Sequence, residues 1–297
     1  MFDYRYHALS LAAVLLALAV GVLIGVAIGD SNLVSSAKNG IVHNLESEVD
    51  GSQRQAAQLQ TRLGSEETFA NDLYPLAVRG LLAGRNVGLV FFGGSSDRVN
   101  GLVRDAVTQA GGSLATVVAV REPLDLNGLA QAAAGTSYAG LATEPAIVHK
   151  FGGLAGRQLV SGGALVNKEL LSRVRGHLLS AFDGQLGKLE GLVVMRDDPA
   201  GMTPEQAEAS AAFQSGLIAG ATAVGVPTVG VELSGTEPSQ VAWYKSQGIS
   251  SVDDLDSLAG QAALIYALTG SHGAYGTKPS ADSLLPDAIS SSERVLK

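Results

Sequence analysis

The stretch NVGLVFFGGSSDRVNGLVRDAVTQAGGSLATVVAV, residues 86–120, decides the fold of this chain. Its first seven residues form a continuous apolar run, which is typical of a strand buried on both faces of a parallel sheet. The segment GGSSD, residues 93–97, predicts a turn in which Ser96 or Asp97 caps a following helix. Apolar residues then recur at helical spacing until two glycines end the helix, and a second apolar run fills residues 114–120. The stretch therefore predicts a βαβ unit.

The chain continues the same alternation of strands and helices. The pattern predicts helices at residues 167–182, 203–221, 239–247 and 257–268, and strands at residues 189–195 and 227–233. Alternating strands and helices favour a mostly parallel, Rossmann-like α/β sheet domain, which we place at residues 85–270. The residues from 271 to 297 are rich in Gly, Ser, Pro and Asp and predict a flexible C-terminal tail.

Three short motifs of this domain could carry chemistry. Gly93 and Gly94 precede a helix, where backbone N–H groups can bind an anion, but GGSSD is neither a dinucleotide fingerprint nor a P-loop, so a tight turn is the favoured interpretation. Asp197 and Asp198 could bind a metal, although adjacent carboxylates in a loop are more often turn formers. The carboxylates in residues 253–256 favour a cap region before the last helix over a calcium loop.

Composition narrows the chemistry further. The chain has 297 residues and no cysteine, which excludes disulfides, thiolate catalysis, zinc–thiolate sites and iron–sulfur clusters. Copper(I) prefers thiolate or thioether ligands. No G-x-S-x-G elbow is present. The histidines are scattered without metal-site spacing: His7, His43, His149, His177 and His272. The three methionines are Met1, Met195 and Met202. The sequence thus predicts no enzyme, identifies no catalytic or cofactor-binding residue, and leaves metal ligands unknown.

Charge excludes two further classes of protein. The formal net charge is −8, and the sequence pI of about 5.1 argues against nucleic acid as a partner, since phosphate binding needs a basic surface. Only 16% of the residues are charged, against 46% apolar residues, and this balance excludes a wholly disordered chain.

Upstream of the sheet domain, residues 8–28 form 21 positions without a charge, after a short N-terminal segment of residues 1–7. As a helix they would span roughly 30 Å, the thickness of the hydrocarbon core of a bilayer. A cleavable signal peptide is the alternative, but uncharged residues continue well beyond the small-residue site at residues 17–19, which favours a retained transmembrane helix. The short N-terminus and long following domain favour a cytoplasmic N-terminus and an extracytoplasmic domain.

Three glycines of this span recur every four residues: Gly21, Gly25 and Gly29. They share one helix face and would allow close approach of a second helix, as in GxxxG pairing. The alternative is that glycine is simply frequent in membrane helices.

Residues 31–74, between span and sheet domain, carry a heptad pattern that predicts a coiled-coil helix. Eight of the ten seam positions are apolar, and Ser52 and Glu66 fill the other two. The apolar seam residues are Val42, Leu45, Val49, Ala56, Leu59, Leu63, Ala70 and Leu73. A single amphipathic helix packed on the globular domain is the alternative, and Pro75 predicts the end of the helix.

The N-terminal string YRYHALSLAAVLLALAVGVLIG, residues 4–25, resembles the start of the actinobacterial MctB family of copper transport proteins. ISSVDDLD at residues 249–256 and GAYG at residues 273–276 resemble its closing motifs. The resemblance implies a cell-envelope protein, associated with a channel, that acts in copper export and homeostasis, with copper as the transported ion. A related envelope protein, SteB, is associated instead with septum and cell-wall functions beside its partner SteA.

Two hypotheses about function follow. The first is a single-pass membrane protein of copper transport and homeostasis. The alternative is a non-enzymatic, SteB-like scaffold or regulator that presents an α/β domain to cell-wall or division partners. We expect the membrane and a second copy of the chain, through span and coiled coil, as partners, and no nucleic acid. The alternative adds a SteA-like or cell-wall protein as a partner.

Overall fold

The computed structural model describes residues 4–29, 31–162, 168–197 and 201–287. The chain divides into two compact units, Met1–Thr68 and Phe69–Lys297. The first unit holds helix α1, Tyr4–Ile28, and most of helix α2, Ser31–Val78. Among the described residues, α1 is the one helix long and apolar enough to cross a membrane.

Helix α2 does not end before Pro75 as the sequence predicted, but runs on to Val78. A proline inside a helix removes one backbone hydrogen bond and crowds the preceding turn. The last turns are nevertheless held, because Tyr74 and Val78 are buried in the core of the second unit. The hydroxyl group of Tyr266 also donates a hydrogen bond to the carbonyl oxygen of Ala77, at 3.1 Å.

The second unit is built on a seven-stranded sheet in the order β3-β2-β1-β4-β5-β6-β7. All neighbouring strands are parallel except β3, which is antiparallel to β2. The strands are β1 (Asn86–Phe92), β2 (Ser113–Val120), β3 (Leu179–Gly184), β4 (Gly191–Arg196), β5 (Thr228–Val231), β6 (Ser250–Val252) and β7 (Ala274–Tyr275). The predicted mostly parallel α/β fold is therefore confirmed.

Helices cover both faces of the sheet and make two apolar cores. They are α3 (Asp97–Gln109), α4 (Leu126–Ala132), a 3-10 helix (Ala139–Ala142), α5 (Pro145–Val160), α6 (Lys168–Leu178), α7 (Pro204–Thr222), α8 (Val241–Ser246) and α9 (Leu258–Leu268). Helices α3 and α9, with the end of α2, cover one face, and α4 to α8 cover the other. Along β1 the side chains alternate between these cores, Leu89 and Phe91 on the first, Val90 and Phe92 on the second.

Two sequence predictions need correction in this unit. The helix expected at residues 167–182 ends at Leu178, and the chain turns back as β3 to pair with the edge of β2. The tail predicted as flexible from residue 271 contributes β7, which pairs with β6. The backbone N–H of Asp282 donates to the carbonyl oxygen of Ala274 at 2.7 Å, and the N–H of Ala274 donates to the Asp282 carboxylate at 3.0 Å. Both pieces complete the sheet edges, where unpaired backbone groups need partners. Residues 288–297 lie outside the described part of the chain.

Helices α5 and α7 approach each other through glycines. A Cβ at Gly152 would lie 2.4 Å from the backbone oxygen of Phe213 in α7. A Cβ at Gly156 would lie 2.1 Å from the backbone oxygen of Leu217 in the same helix. A Cβ at Gly220 would lie 2.2 Å from the backbone oxygen of Gly153 in α5. The two helix backbones are therefore in direct contact, and no larger residue fits at these positions without moving a helix.

Candidate functional site

The loops after β1 and β4 meet at the carboxyl edge of the sheet, where the strand order reverses. In open α/β sheets this switch point is where ligands commonly bind. The backbone N–H of Asp197 donates to the carbonyl oxygen of Phe92 at 3.1 Å. Gly93 has a φ of +108°, and a Cβ there would lie 3.4 Å from the Cβ of Asp197. The structure thus brings two of the predicted motifs together, while Asp198 lies outside the described residues.

The GGSSD segment forms the turn and helix start that the sequence suggested. Ser96 is the N-cap of α3, and its hydroxyl oxygen accepts a hydrogen bond from the backbone N–H of Val99 at 3.3 Å. Asp97 opens the first turn of the helix, where a carboxylate is favoured by the helix dipole. Gly93 adopts a left-handed backbone that favours glycine.

A polar network centred on Arg196, the last residue of β4, lies at the same edge. The Arg196 Nε donates to Gln214 Oε1 of α7 at 2.9 Å, and Nη1 donates to Gln240 Oε1. The guanidinium carbon also lies 5.0 Å from the ring centroid of Trp243, a cation–π arrangement. Gln214 and Gln240 are both buried, so the two amides hold the guanidinium in one orientation.

The network continues to the ends of the neighbouring strands. Gln214 Nε2 donates to Glu122 Oε1, just after β2. On the other side, Glu232, just after β5, accepts hydrogen bonds from the backbone N–H of Gln240 at 2.6 Å and from the Ser239 hydroxyl at 2.8 Å. A single chain of hydrogen bonds therefore links the carboxyl ends of β2, β4 and β5.

Glu232 also forms a buried ion pair with Lys278 beyond β7. The Nζ of Lys278 lies 2.6 Å from Glu232 Oε1, with the carboxylate side chain fully buried. The same Nζ donates to the carbonyl oxygen of Thr236 at 2.7 Å. The carboxylate of buried Asp253 accepts from the backbone N–H groups of Thr277 at 2.8 Å and Lys278 at 3.1 Å. The residues after β7 are thus fastened to the edge of the sheet.

Tyr244 of α8 links the ends of β4 and β5 through its hydroxyl group. Its buried hydroxyl group donates to the carbonyl oxygen of Val231 at 3.2 Å and accepts from the backbone N–H of Arg196 at 2.9 Å. Burial raises the pKa of Tyr244, so the group stays a neutral donor and acceptor. The ring packs over Gly230, where a Cβ would lie 2.4 Å from ring carbons.

The acidic residues 253–256 lead into α9. Ser257 is the N-cap of that helix, and its hydroxyl donates to Asp254 Oδ2 at 2.7 Å. Burial raises the pKa of Asp254. Asp256 accepts from the backbone N–H of Ser234 at 2.8 Å and pairs with Arg98 of α3 at 3.1 Å. Asp254 thus contacts the capping serine, and Asp256 joins the loop after β5 to α3.

A second pair of titratable groups lies beyond β2. Asp125 is the N-cap of α4 and accepts from the backbone N–H of Gly128 at 2.9 Å, and its other oxygen lies 2.6 Å from His177 Nδ1. The Gly128 hydrogen bond, followed by that of His177, lowers the pKa of Asp125. Both side chains are about two-fifths exposed, so solvent screens the pair.

Metal-ligating residues are dispersed in the described part of the chain. No group of three or more His, Cys, Asp or Glu side chains there could hold a metal ion. Met202 lies just before α7, and its sulfur accepts a hydrogen bond from the Ser210 hydroxyl at 3.9 Å, while Met195 lies in β4 and packs on the core. The network at the carboxyl edge positions loops and balances charge through amides and carboxylates.

The residues predicted for helix pairing lie in the first unit and its continuation. Gly21 and Gly25 lie within α1, and Gly29 follows its last residue; a Cβ at Gly21 or Gly25 would meet no atom within 4 Å. All eight apolar seam residues lie in α2. Six of them expose two-fifths or more of their surface: Val42, Leu45, Val49, Leu59, Leu63 and Leu73.

The architecture defines a class: an α/β protein with a doubly wound, mostly parallel sheet, whose chain begins with a helix of membrane-spanning length. Within that class the chain belongs to the MctB family, described as copper transport outer membrane protein, whose profile matches residues 1–286. The copper transporter MctB of Mycobacterium bovis is 25% identical over an alignment 332 positions long, which covers 93% of this chain and 96% of that protein. The copper transporter MctB of Mycobacterium tuberculosis H37Rv has the same identity and coverage.

Sequence reasoning did not find the residues of the polar network. Arg196, Gln214, Gln240 and Lys278 lie far apart in the chain and form no motif. Two signals were present: Gln214 interrupts the apolar face of α7, and Glu232 directly follows an apolar strand. A polar residue in such a place needs a buried partner.

Proposed function

We propose that this chain acts in copper homeostasis at the cell envelope as a single-pass membrane protein, with copper as the transported ion. The observation that carries the proposal is the family match over residues 1–286, which includes α1 at its start. Helix α1 has 25 residues, none of them buried, and is long enough to cross the hydrocarbon core of a bilayer.

Copper tolerance of cells tests this function directly. Cells lacking the protein should accumulate copper and grow poorly in it, and the full chain should restore both. A chain without residues 1–29 should restore neither if the anchor is needed. Full restoration by the truncated chain would contradict membrane anchoring, and no copper phenotype in the deletion strain would contradict the copper function.

The proposed topology places the N-terminus in the cytoplasm and the α/β domain outside. Because the chain has no cysteine, a single introduced cysteine reports its own compartment. Ser172→Cys, at an exposed position of α6, should react with a membrane-impermeant maleimide in intact cells, and His7→Cys should react only after lysis. The opposite labelling pattern would reverse the orientation.

Self-association through α1 and α2 is part of the proposal. The glycine face of α1 is open, and the seam of α2 leaves leucine and valine side chains in solvent. A second copy would cover both, because GxxxG faces pair with like faces and heptad seams with like seams. Gly21→Ile with Gly25→Ile should reduce cross-linking in membranes, whereas Val22→Ile should not. Equal yields would show that the glycine face is not the interface.

Direct copper binding separates transport by this chain from a supporting role. The full chain in lipid nanodiscs is titrated with Cu(I) under reducing conditions and with Cu(II) under oxidising conditions. Stoichiometric, micromolar binding that weakens in Met202→Leu would support contact between the chain and its cargo. Conductance across bilayers containing the full chain would support a channel, and silence would count against it.

A SteB-like scaffold or regulator is the second candidate function, and the exposed seam of α2 favours it. Such a protein would present the α/β domain to a cell-wall or division partner without touching copper. Cells expressing a chain with Leu45→Lys and Leu59→Lys should then show division or cell-wall defects at normal copper. If the same variant loses copper tolerance alone, the transport hypothesis is supported instead.

A further inference from the structure

A cavity of about 120 Å³ lies between the sheet and the helices on the face that α4 to α8 cover. Strands β1, β2 and β3 and helices α5, α6 and α7 all contribute to its wall. Aliphatic and aromatic side chains dominate the lining, among them Val118, Leu159, Val174, Leu178, Phe213 and Leu217. Protein interiors rarely leave a space larger than a water molecule. This cavity is therefore an unfilled apolar volume next to the main core.

The size of the cavity limits what it can hold. A cavity of about 150 Å³ lined by apolar side chains stays dry and takes a molecule of the size of benzene. By that measure the present cavity accepts roughly five carbon atoms. The polar side chains of the lining are Gln158 and Arg175, so an ordered water cluster would be poorly satisfied there.

The rim of the cavity, in contrast, carries a cation. The Arg175 side chain of α6 is exposed, and its guanidinium carbon lies 4.3 Å from the ring centroid of Phe182 in β3. Both residues line the cavity, together with Leu186, which exposes 53% of its surface. The ring holds the guanidinium beside the opening, and the leucine extends the apolar wall into solvent.

We propose that this cavity binds a single alkyl chain that bears an anionic headgroup, with the chain end inside and the headgroup at Arg175. The apolar wall selects the chain by burial, and the guanidinium selects a carboxylate or phosphate over a neutral or cationic head. A free fatty acid and an anionic phospholipid share this chemistry. The site is separate from the polar network at the carboxyl edge.

A chain-length series tests the alkyl part of the proposal. Straight-chain carboxylates from butanoate to decanoate are titrated into the full-length protein in phosphatidylcholine nanodiscs and followed by ligand-observed NMR. The signal from empty nanodiscs is subtracted. Each added methylene should tighten binding about fourfold until the cavity is full, at roughly five buried carbons, after which the gain should stop. Binding that rises without a plateau, or no saturable binding, would overturn the assignment.

Three variants locate the site. Ala155 lines the cavity, so Ala155→Leu should fill it and weaken octanoate binding at least tenfold, whereas Ala207→Leu at an exposed position of α7 should leave it unchanged. Arg175→Gln should abolish the preference for octanoate over octanol, and Arg175→Lys should keep it. Far-ultraviolet ellipticity confirms that each variant is folded. Equal octanoate binding by Ala155→Leu and Ala207→Leu would overturn the proposal.

The nanodisc lipid distinguishes a free fatty acid from an anionic phospholipid as the source of the bound alkyl chain. Replacing phosphatidylcholine with phosphatidylglycerol should suppress octanoate binding if an anionic phospholipid fills the cavity. Unchanged octanoate binding assigns the site to a free alkyl carboxylate. Equal affinity for octanoate and octyltrimethylammonium in either lipid would contradict the role of Arg175.

Discussion

The contact between α5 and α7 makes a sharp stability prediction for Gly220→Ala. A methyl group at this position would lie 2.2 Å from the backbone oxygen of Gly153 and 2.8 Å from its Cα. Ordinary van der Waals contact begins near 3.4 Å. Because the obstructing atoms belong to the backbone, no rotamer change can relieve the clash, and the helices must separate by about 1 Å.

The expected cost follows from two opposing effects. Overpacking a well-packed interface destabilises by about 1–3 kcal/mol. Alanine is a better helix former than glycine by about 1 kcal/mol, which offsets part of this loss. We therefore expect a net loss of up to about 2 kcal/mol, or a melting temperature lower by up to about 8 °C for a domain of this size.

The matched control is Gly101→Ala in α3. A Cβ there would meet no atom within 4 Å, so the same substitution should be neutral or stabilise by up to about 1 kcal/mol. Urea unfolding of the full chain in nanodiscs is followed by the emission of Trp243, the single tryptophan. Equal stability of Gly220→Ala and Gly101→Ala would show that the two helices are not in backbone contact.

Three further predictions use the same unfolding assay. Tyr74→Phe should be neutral or stabilise by up to about 1 kcal/mol, because the buried Tyr74 hydroxyl has no hydrogen-bond partner among the described residues. Tyr244→Phe should destabilise by about 1–3 kcal/mol, because it leaves two buried backbone groups without their hydrogen-bond partner. Equal effects of the two substitutions would contradict this difference in hydrogen bonding. Lys278→Met should destabilise by about 3–5 kcal/mol, because it leaves the carboxylate of Glu232 buried without its cation, and a loss below 1 kcal/mol would mean that the pair is solvated. Asp125→Asn should be less stable than the native chain at pH 7 but equally stable in strong acid. The pKa of Asp125 is lower in the folded state, so the stability that its carboxylate contributes is lost as the pH falls through that folded-state pKa. A stability difference that does not change with pH would contradict this contribution of Asp125.

The sheet could be predicted because its signals are local. The apolar run of residues 86–92, the capping serine and the two glycines before residue 113 each act within a few residues, and together they specify the βαβ unit. Strand β3 could not be predicted in this way, because Leu179–Gly184 alternates weakly and pairs with β2, far away in the chain. Tertiary pairing there overrides local propensity.

The site could be predicted only in its position. The turns at Gly93 and Asp197 were identified as candidates, and the topology brings them side by side. The polar network around Arg196 depends on four segments meeting in space, and no local pattern encodes that meeting. Proline gave a misleading signal at residue 75, because burial of the following turn outweighs the broken hydrogen bond.

The last turns of α2 have a practical consequence for anyone who wishes to crystallise the C-terminal half. A fragment cut at residue 85, where the first strand is about to begin, would discard Tyr74, Val78 and Leu82, all of which are buried in the core. Each such side chain is worth about 1.5–3 kcal/mol of burial, enough together to leave a short fragment aggregated. An expression fragment should therefore start at Phe69 or earlier, so that the helix end stays with the sheet it covers.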